Sequence, residues 1–305
     1  EELERENLEG VDIKYSISPG AIKRGETSYA YANIMWQKGE LNYFVIEPRI
    51  TEEEKVIVVK VKRDLEERLD IDFTKLGDIK AKQILKEEIQ KSLSSFPGIP
   101  WERSSILTYF IERDLIGLGK IQPLMDDESI EDISCDGVGI PLYIYHRDPR
   151  FGSMKTTIAF ETTDELDAFA EILAQKCNKS ISVAEPLLDG ALPDGSRVQA
   201  TLGTDIARRG SNFTIRKFTE KPLTPTHMMK FNTLDSTQLA YVWLMVENGK
   251  SILISGGTAT GKTSLLNALS LFIRPSLKVV SIEDTAELRL PLPHWIPHVA
   301  RSPLS

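Results

Sequence analysis

Ser251-Ile252-Leu253-Ile254-Ser255, followed by Gly256-Gly257-Thr258-Ala259-Thr260-Gly261-Lys262-Thr263, is the stretch on which the reading of this 305-residue chain turns. Its last eight residues satisfy G-x-x-x-x-G-K-[ST] at every fixed position. The five before them form a short apolar run typical of a buried strand, and Lys262 to Ile273, stopped before Pro275, reads as a helix. Strand, glycine-rich turn and helix in this order make a phosphate-binding loop. Glycines let successive N–H groups turn toward an anion, and the helix N-terminus adds positive partial charge. On this reading Gly257, Thr258, Ala259, Thr260, Gly261, Lys262, Thr263 and Ser264 bind a nucleotide. Lys262 reaches its β and γ phosphates, and the Thr263 hydroxyl ligates Mg²⁺.

Downstream, Lys278 to Ile282 reads as an apolar strand delivering Glu283 and Asp284 at its C-terminal end, where parallel sheets bind ligands. By residue chemistry this could be a Walker B strand, although it follows the loop by only one helix. Glu283 could polarise an attacking water or hold the metal's water shell, and Asp284 could instead cap the next segment. A GTPase would carry D-x-x-G and N-K-x-D after the loop. Asp136-Gly137-Val138-Gly139 and Asn178-Lys179 lie upstream, and the second lacks its Asp, so that class is set aside.

Upstream of the loop, Ser236 is expected to cap a helix with Leu239, Val242, Trp243 and Val246 on one face, ended by Gly249. Residues 219–234, with Pro222 and Pro225, have linker chemistry. Residues 101–218 read as an α+β domain. It holds a helix through Ile106, Leu107, Phe110, Ile111 and Leu115, strands near 142–145, 157–160, 197–202 and 212–218, and a helix capped by Thr162 with Glu165. Residues 1–96 read as a separate α+β domain, with a strand at 43–46 and a capping box at Thr51 and Glu54. Val56 to Val61 within it could be helix or strand. An amphipathic pattern at Ile79, Ile84, Leu85 and Ile89 stops at residues 94–100, whose Pro and Gly suggest a domain boundary.

The composition, 41% hydrophobic and 27% charged, is that of a globular chain. No apolar run reaches the length of a membrane span and the acidic start is unlike a secretory signal, so neither insertion nor export is expected. Cys135 and Cys177 lack metal-ligand spacing and read as buried thiols of a reducing cytosol; His146 and His227 are isolated and read as structural. The net charge of −8 divides into −4, −9 and +5 over residues 1–100, 101–200 and 201–305. The bases of the last third are scattered without interleaved aromatics, and Arg208-Arg209 reads as an exposed turn. This suits a small polyanion such as a nucleotide, and no nucleic acid is expected.

At residues 255–270 (SGGTATGKTSLLNALS) and 279–291 (VVSIEDTAELRLP) the chain resembles the secretion ATPases of the type II/type IV superfamily, particularly archaeal secretion, pilus and archaellum motors. LPDGSRVQATLG (192–203), GSNFTIRKF (210–218), IEDISCDG (130–137) and PLYIYHRD (141–148) resemble the segments that precede the loop in that family. The resemblance covers about residues 100–305 and is loose over 1–95. It implies an α/β chain in which mixed α+β N-terminal domains precede a RecA-like P-loop ATPase domain, residues 235–305. It implies a cytoplasmic homo-hexamer that uses ATP and Mg²⁺ and meets the membrane through an inner-membrane platform protein. The same resemblance assigns Ile282-Glu283-Asp284 to the family's acidic box instead of Walker B and marks Glu283 as catalytic and metal-linked. Arg197 and Arg216 are similar to arginines that reach the nucleotide phosphates from the N-terminal side, where guanidinium groups would stabilise charge on a γ-phosphoryl group.

One departure shapes the functional expectation. The family carries a Walker B strand and a histidine-containing segment after the acidic box, and His294 and His298 do not replace them. The sequence reading is therefore of a truncated ATPase domain that binds Mg-ATP but hydrolyses it poorly. Two rivals share the loop: a nucleotide-driven DNA translocase, and a non-hydrolysing module that uses nucleotide to order its assembly.

Overall fold

A computed structural model of the chain describes residues 8–17, 28–68, 79–96, 98–148, 150–203, 207–218, 222–257, 260–284 and 287–300, the side chains of 79–82 excepted. Two compact units divide it, residues 1–217 and 218–305. The first opens with an antiparallel meander of β1 (Asp12–Ile17), β2 (Ala30–Gln37) and β3 (Glu40–Ile46). Lys38 and Gly39, both at positive φ (56° and 84°), make the tight β2–β3 turn whose twist suits a hairpin.

Three helices follow: α1 (Glu52–Arg68), α2 (Ile79–Ser94) and α3 (Trp101–Leu115). The Thr51 box forms as its spacing predicts. Glu54 N donates to Thr51 Oγ1 (3.2 Å), and Thr51 N donates to Glu54 Oε2 (2.8 Å). With that cap in place Val56 to Val61 is helix, burying Val58, Val61 and Leu65 at helical spacing. These pack with Leu85, Ile89 and Leu93 of α2 and Leu107, Ile111 and Leu115 of α3 in one core. The domain boundary expected at 96–101 is therefore absent. Proline and glycine turn the chain there, but Phe96 and Ile99 pack against the same cluster.

Next come a 3₁₀ turn (Gly119–Ile121), α4 (Gln122–Asp126), β4 (Ile130–Cys135), β5 (Pro141–His146), β6 (Ser153–Ala159), α5 (Thr163–Lys176), β7 (Leu187–Ala191), β8 (Arg197–Thr201) and β9 (Asn212–Arg216). The sheet runs β1-β2-β3-β6-β5-β4-β9-β8-β7. All its pairs are antiparallel except β3–β6, a parallel junction through Asn42–Lys155 and Tyr43–Thr156 that joins the meander to the remaining strands. Ile133, Ile144, Met154, Val198 and Ile215 line the buried face with Leu166, Phe169 and Leu173 of α5. A polar node reinforces the junction. Buried Asp127 accepts the hydroxyls of Tyr15 (2.6 Å) and Tyr43 (2.5 Å) on Oδ2, and Lys217 Nζ donates to the carbonyls of Leu124 (3.0 Å) and Asp127. Burial pushes the Lys217 ammonium down to about 8.

The second unit holds α6 (Pro225–Lys230), α7 (Ser236–Glu247), α8 (Lys262–Ser270) and a parallel pair, β10 (Val279–Glu283) and β11 (Trp295–Val299). Several expectations are corrected here. The linker stretch carries α6. Asp235, not Ser236, caps α7, its Oδ1 accepting Gln238 N at 2.8 Å. Of the expected apolar face of α7 only Leu239 is buried, while Trp243 stacks on Phe272 (5.2 Å between centroids). Residues 251–255 are neither strand nor buried. A strand needs a ladder partner, none is found among the described residues, and Leu253 is 92% exposed.

Ile111→Ala should destabilise the first unit by about 2–5 kcal/mol, because the cavity opens in a core shared by three helices. Urea unfolding followed by circular dichroism checks this; a loss below about 1 kcal/mol would mean that α3 packs elsewhere.

Candidate functional site

The loop between residues 255 and 262 is closed by its own hydrogen bonds. The Gly257 carbonyl accepts both Thr260 Oγ1 (2.9 Å) and Lys262 Nζ, which curls back over the turn. A Cβ on Gly256 would stand 2.7 Å from Thr260 Oγ1, so a side chain there would displace the hydroxyl that bonds the Gly257 carbonyl. Gly261, at φ 83°, occupies the left-handed region and opens α8, with Leu265 N donating to its carbonyl (2.9 Å). By helix geometry the N–H groups of Lys262, Thr263 and Ser264 have no intrahelical acceptor. Thr258 and Ala259 lie outside the described residues.

Buried Ala268 and Leu269 fix α8, and Asn267 Oδ1 accepts Arg289 N (3.2 Å), tying the helix to the chain after β10. These residues suit a Mg-nucleotide in kind: a tight glycine turn, helix N–H donors, one ammonium and one hydroxyl. No cluster of three metal-ligating side chains exists among the described residues.

Glu283 ends β10 as expected, but its carboxylate is engaged locally. Oε1 accepts Glu287 N (3.0 Å) and Leu288 N (2.9 Å), while Ser281 Oγ reaches Oε2 at 3.5 Å. In this structure it holds the turn after β10, and Asp284 stands exposed beside it.

Arg197 and Arg216 belong to the first unit, where β8 and β9 set them directly opposite one another. Their neighbours Val198 and Ile215 are buried, so both arginines stand on the other face of the sheet. Arg197 holds Asp189 through two hydrogen bonds, Nε to Oδ1 (3.3 Å) and NH2 to Oδ2 (3.0 Å). Arg216 NH2 donates to Glu131 Oε1 (3.3 Å), and its Nε lies 4.0 Å from Asp132 Oδ1. All these groups are a third or more exposed, so each pair contributes only about 0–1 kcal/mol and can exchange for another anion. The quoted stretch IEDISCDG contains both carboxylates, yet strict strand alternation would send them to opposite faces, and sequence reasoning passed over them.

The structural readings of the histidines and cysteines agree with their surroundings. His146 Nδ1 accepts Asp148 N (3.0 Å) and its ring meets the Phe151 edge, His227 completes the capping box of α6, and both cysteines are buried and unbridged. No helix among the described residues is long and apolar enough to cross a membrane.

Comparison with known proteins bears on the same segments. A family profile described as Type II/IV secretion system protein matches residues 142–297. Two uncharacterized proteins of Methanocaldococcus jannaschii are similar: MJ0900, 41% identical over 202 residues (66% of this chain, 36% of that one), and MJ1288, 41% identical over 190 (61% and 72%). The type IV secretion system protein PtlH of Bordetella pertussis is 31% identical over 194 residues, 57% of this chain and 56% of PtlH. The chain thus spans about a third of MJ0900 and about half of PtlH.

Glu283→Ala should lower the stability of the second unit by about 1.5–3 kcal/mol, since two backbone N–H groups lose a charged acceptor. Glu283→Gln keeps an oxygen at that place and should cost less than half as much. Thermal melts of both variants check the order; equal melting temperatures for all three proteins would remove the turn-holding role.

Proposed function

The chain belongs to the Type II/IV secretion system protein family, and from that premise we propose that it is the ATP-binding portion of a secretion or pilus-type motor ATPase. The observation that carries this reading is the glycine turn that opens α8 at Gly261 with Lys262 folded over it, inside the matched segment. Hydrolysis is the reaction: water attacks the γ-phosphorus in line, the phosphoryl group passes to water, and ADP leaves. Gly257 to Ser264 cradle the phosphates, Lys262 neutralises their charge and Thr263 holds Mg²⁺. Arg197 and Arg216 stabilise charge on the γ-phosphoryl oxygens, on the same or a neighbouring subunit. Glu283 orients water or the metal's water shell, which requires it to exchange a backbone N–H partner for water.

The motor acts as a RecA-like homo-hexamer at the cytoplasmic side of a membrane, docked on a platform protein of a secretion or pilus apparatus. The similarity to PtlH, itself a type IV secretion system protein, supports that setting. A binding-only reading of the 305-residue chain has its own support. Residues 251–255 are not laddered into a sheet behind the loop, and the Glu283 carboxylate is occupied. For this chain alone we therefore propose Mg-ATP binding with slow turnover.

Lys262→Ala should weaken binding of a fluorescent ATP analogue at least tenfold with unchanged circular dichroism, because it removes a loop charge without opening a core cavity. Unchanged affinity would remove the loop from the account. In the intact protein Arg197→Ala and Arg216→Ala should each depress kcat more than they raise KM, as for groups that act on developing charge. Parental phosphate release by both variants would make the arginines structural.

A further inference from the structure

Two like charges directly opposite one another on adjacent strands repel, and Arg197 and Arg216 stand in that relation. The sheet meets the repulsion with three carboxylates, and it changes its own backbone to bring in one of them. Ile130 pairs with His146 and Asp132 with Tyr145, so β4 carries one residue more than β5 opposite it. Glu131 is that extra residue. Ile130 and Ile133 are both fully buried in the core, and the two residues between them leave it together. This β-bulge aims consecutive carboxylates at one guanidinium, which a regular strand cannot do.

The two carboxylates are not equivalent. Glu131 accepts from the outer nitrogen NH2. Asp132 lies beside the inner Nε, and its Oδ1 is buried without a hydrogen-bond partner. Burial pushes the Asp132 carboxyl up, and the Arg216 charge offsets only part of that. A carboxylate oxygen shut away from water without a hydrogen bond costs stability, and residues kept at such a cost characteristically serve function.

We infer that Asp132 is a positioning residue for Arg216: it holds the Nε side of the guanidinium, so that the outer nitrogens can pass from Glu131 to phosphate oxygens without the side chain swinging away. The inference rests on the proposed role of Arg216 toward nucleotide. The single hydrogen bond to Glu131 is the exchangeable contact, while Asp132, directly across the ladder from Arg216 and 4.0 Å from its Nε, acts through its charge.

The test is a double-mutant cycle in the intact protein, with kcat, KM for ATP and melting temperature measured for Asp132→Asn, Arg216→Ala and the pair. Asp132→Asn should lower kcat about tenfold, the effect of a misplaced catalytic group, with KM changed less than twofold. Its melting temperature should equal or exceed the parental value, because the charge is removed from a group whose Oδ1 is shut away from water without a hydrogen bond. In the Arg216→Ala background the same substitution should have no further effect on kcat. If Arg216→Ala is slow but Asp132→Asn turns over at the parental rate, the inference falls and the role of Arg216 stands. A loss from Asp132→Asn that persists in the Arg216→Ala background, or a lowered melting temperature, would overturn it as well. Parental turnover by Arg216→Ala would remove the reading on which it rests.

Discussion

Alternation across the nine-stranded sheet is the constraint on which the first unit depends. Because successive side chains leave a strand on opposite faces, one row of residues can be sealed into the core while the next remains outside. Val198, Ile215, Ile133 and Ile144 take the first role. Arg197, Arg216, Asp132 and Tyr145, one residue out of step with them, take the second and form a row across four strands. The arginines are therefore placed by the burial of their neighbours. Their own ion pairs are too exposed to fix the strands, yet they can settle where each guanidinium rests. The break in the alternation of β4, at Glu131, falls where a second carboxylate meets Arg216.

The second unit shows a different constraint, that of opening a helix on a glycine turn. Gly256 cannot carry a Cβ without meeting Thr260, and Gly261 sits where other residues are strained. The turn is self-supporting, since the Gly257 carbonyl gathers the Thr260 hydroxyl and the Lys262 ammonium. α8 in turn is held by buried Ala268 and Leu269 and by the link from Asn267 to Arg289. In the proposed function both arrangements serve an anion, one through backbone dipoles and one through full charges on the sheet.

Local chemistry was legible in the sequence, and non-local pairing was not. The Thr51–Glu54 and Thr162–Glu165 caps depend on residues three apart, and both form as read. The helix beginning at Lys262 starts where the glycine motif places it, although it ends three residues early at Ser270. The run 251–255 reads as a strand by composition, but a strand exists only with a ladder partner, which no local pattern supplies. The Pro and Gly residues at 94–100 mark a change of chain direction, and the three-helix core simply continues past it. The Glu131 bulge shows the same limit, because register belongs to two strands and is invisible in one.

The central claim, that the turn opening α8 is an anion cradle for nucleotide phosphate, is tested most directly by hydrogen–deuterium exchange on the unmodified chain with and without a Mg-bound non-hydrolysable ATP analogue. Exchange of the amides from Gly256 to Leu265 should slow on binding, with the amides of buried Ile133, Val198 and Ile215 unchanged. Saturable binding without protection in that segment would contradict it.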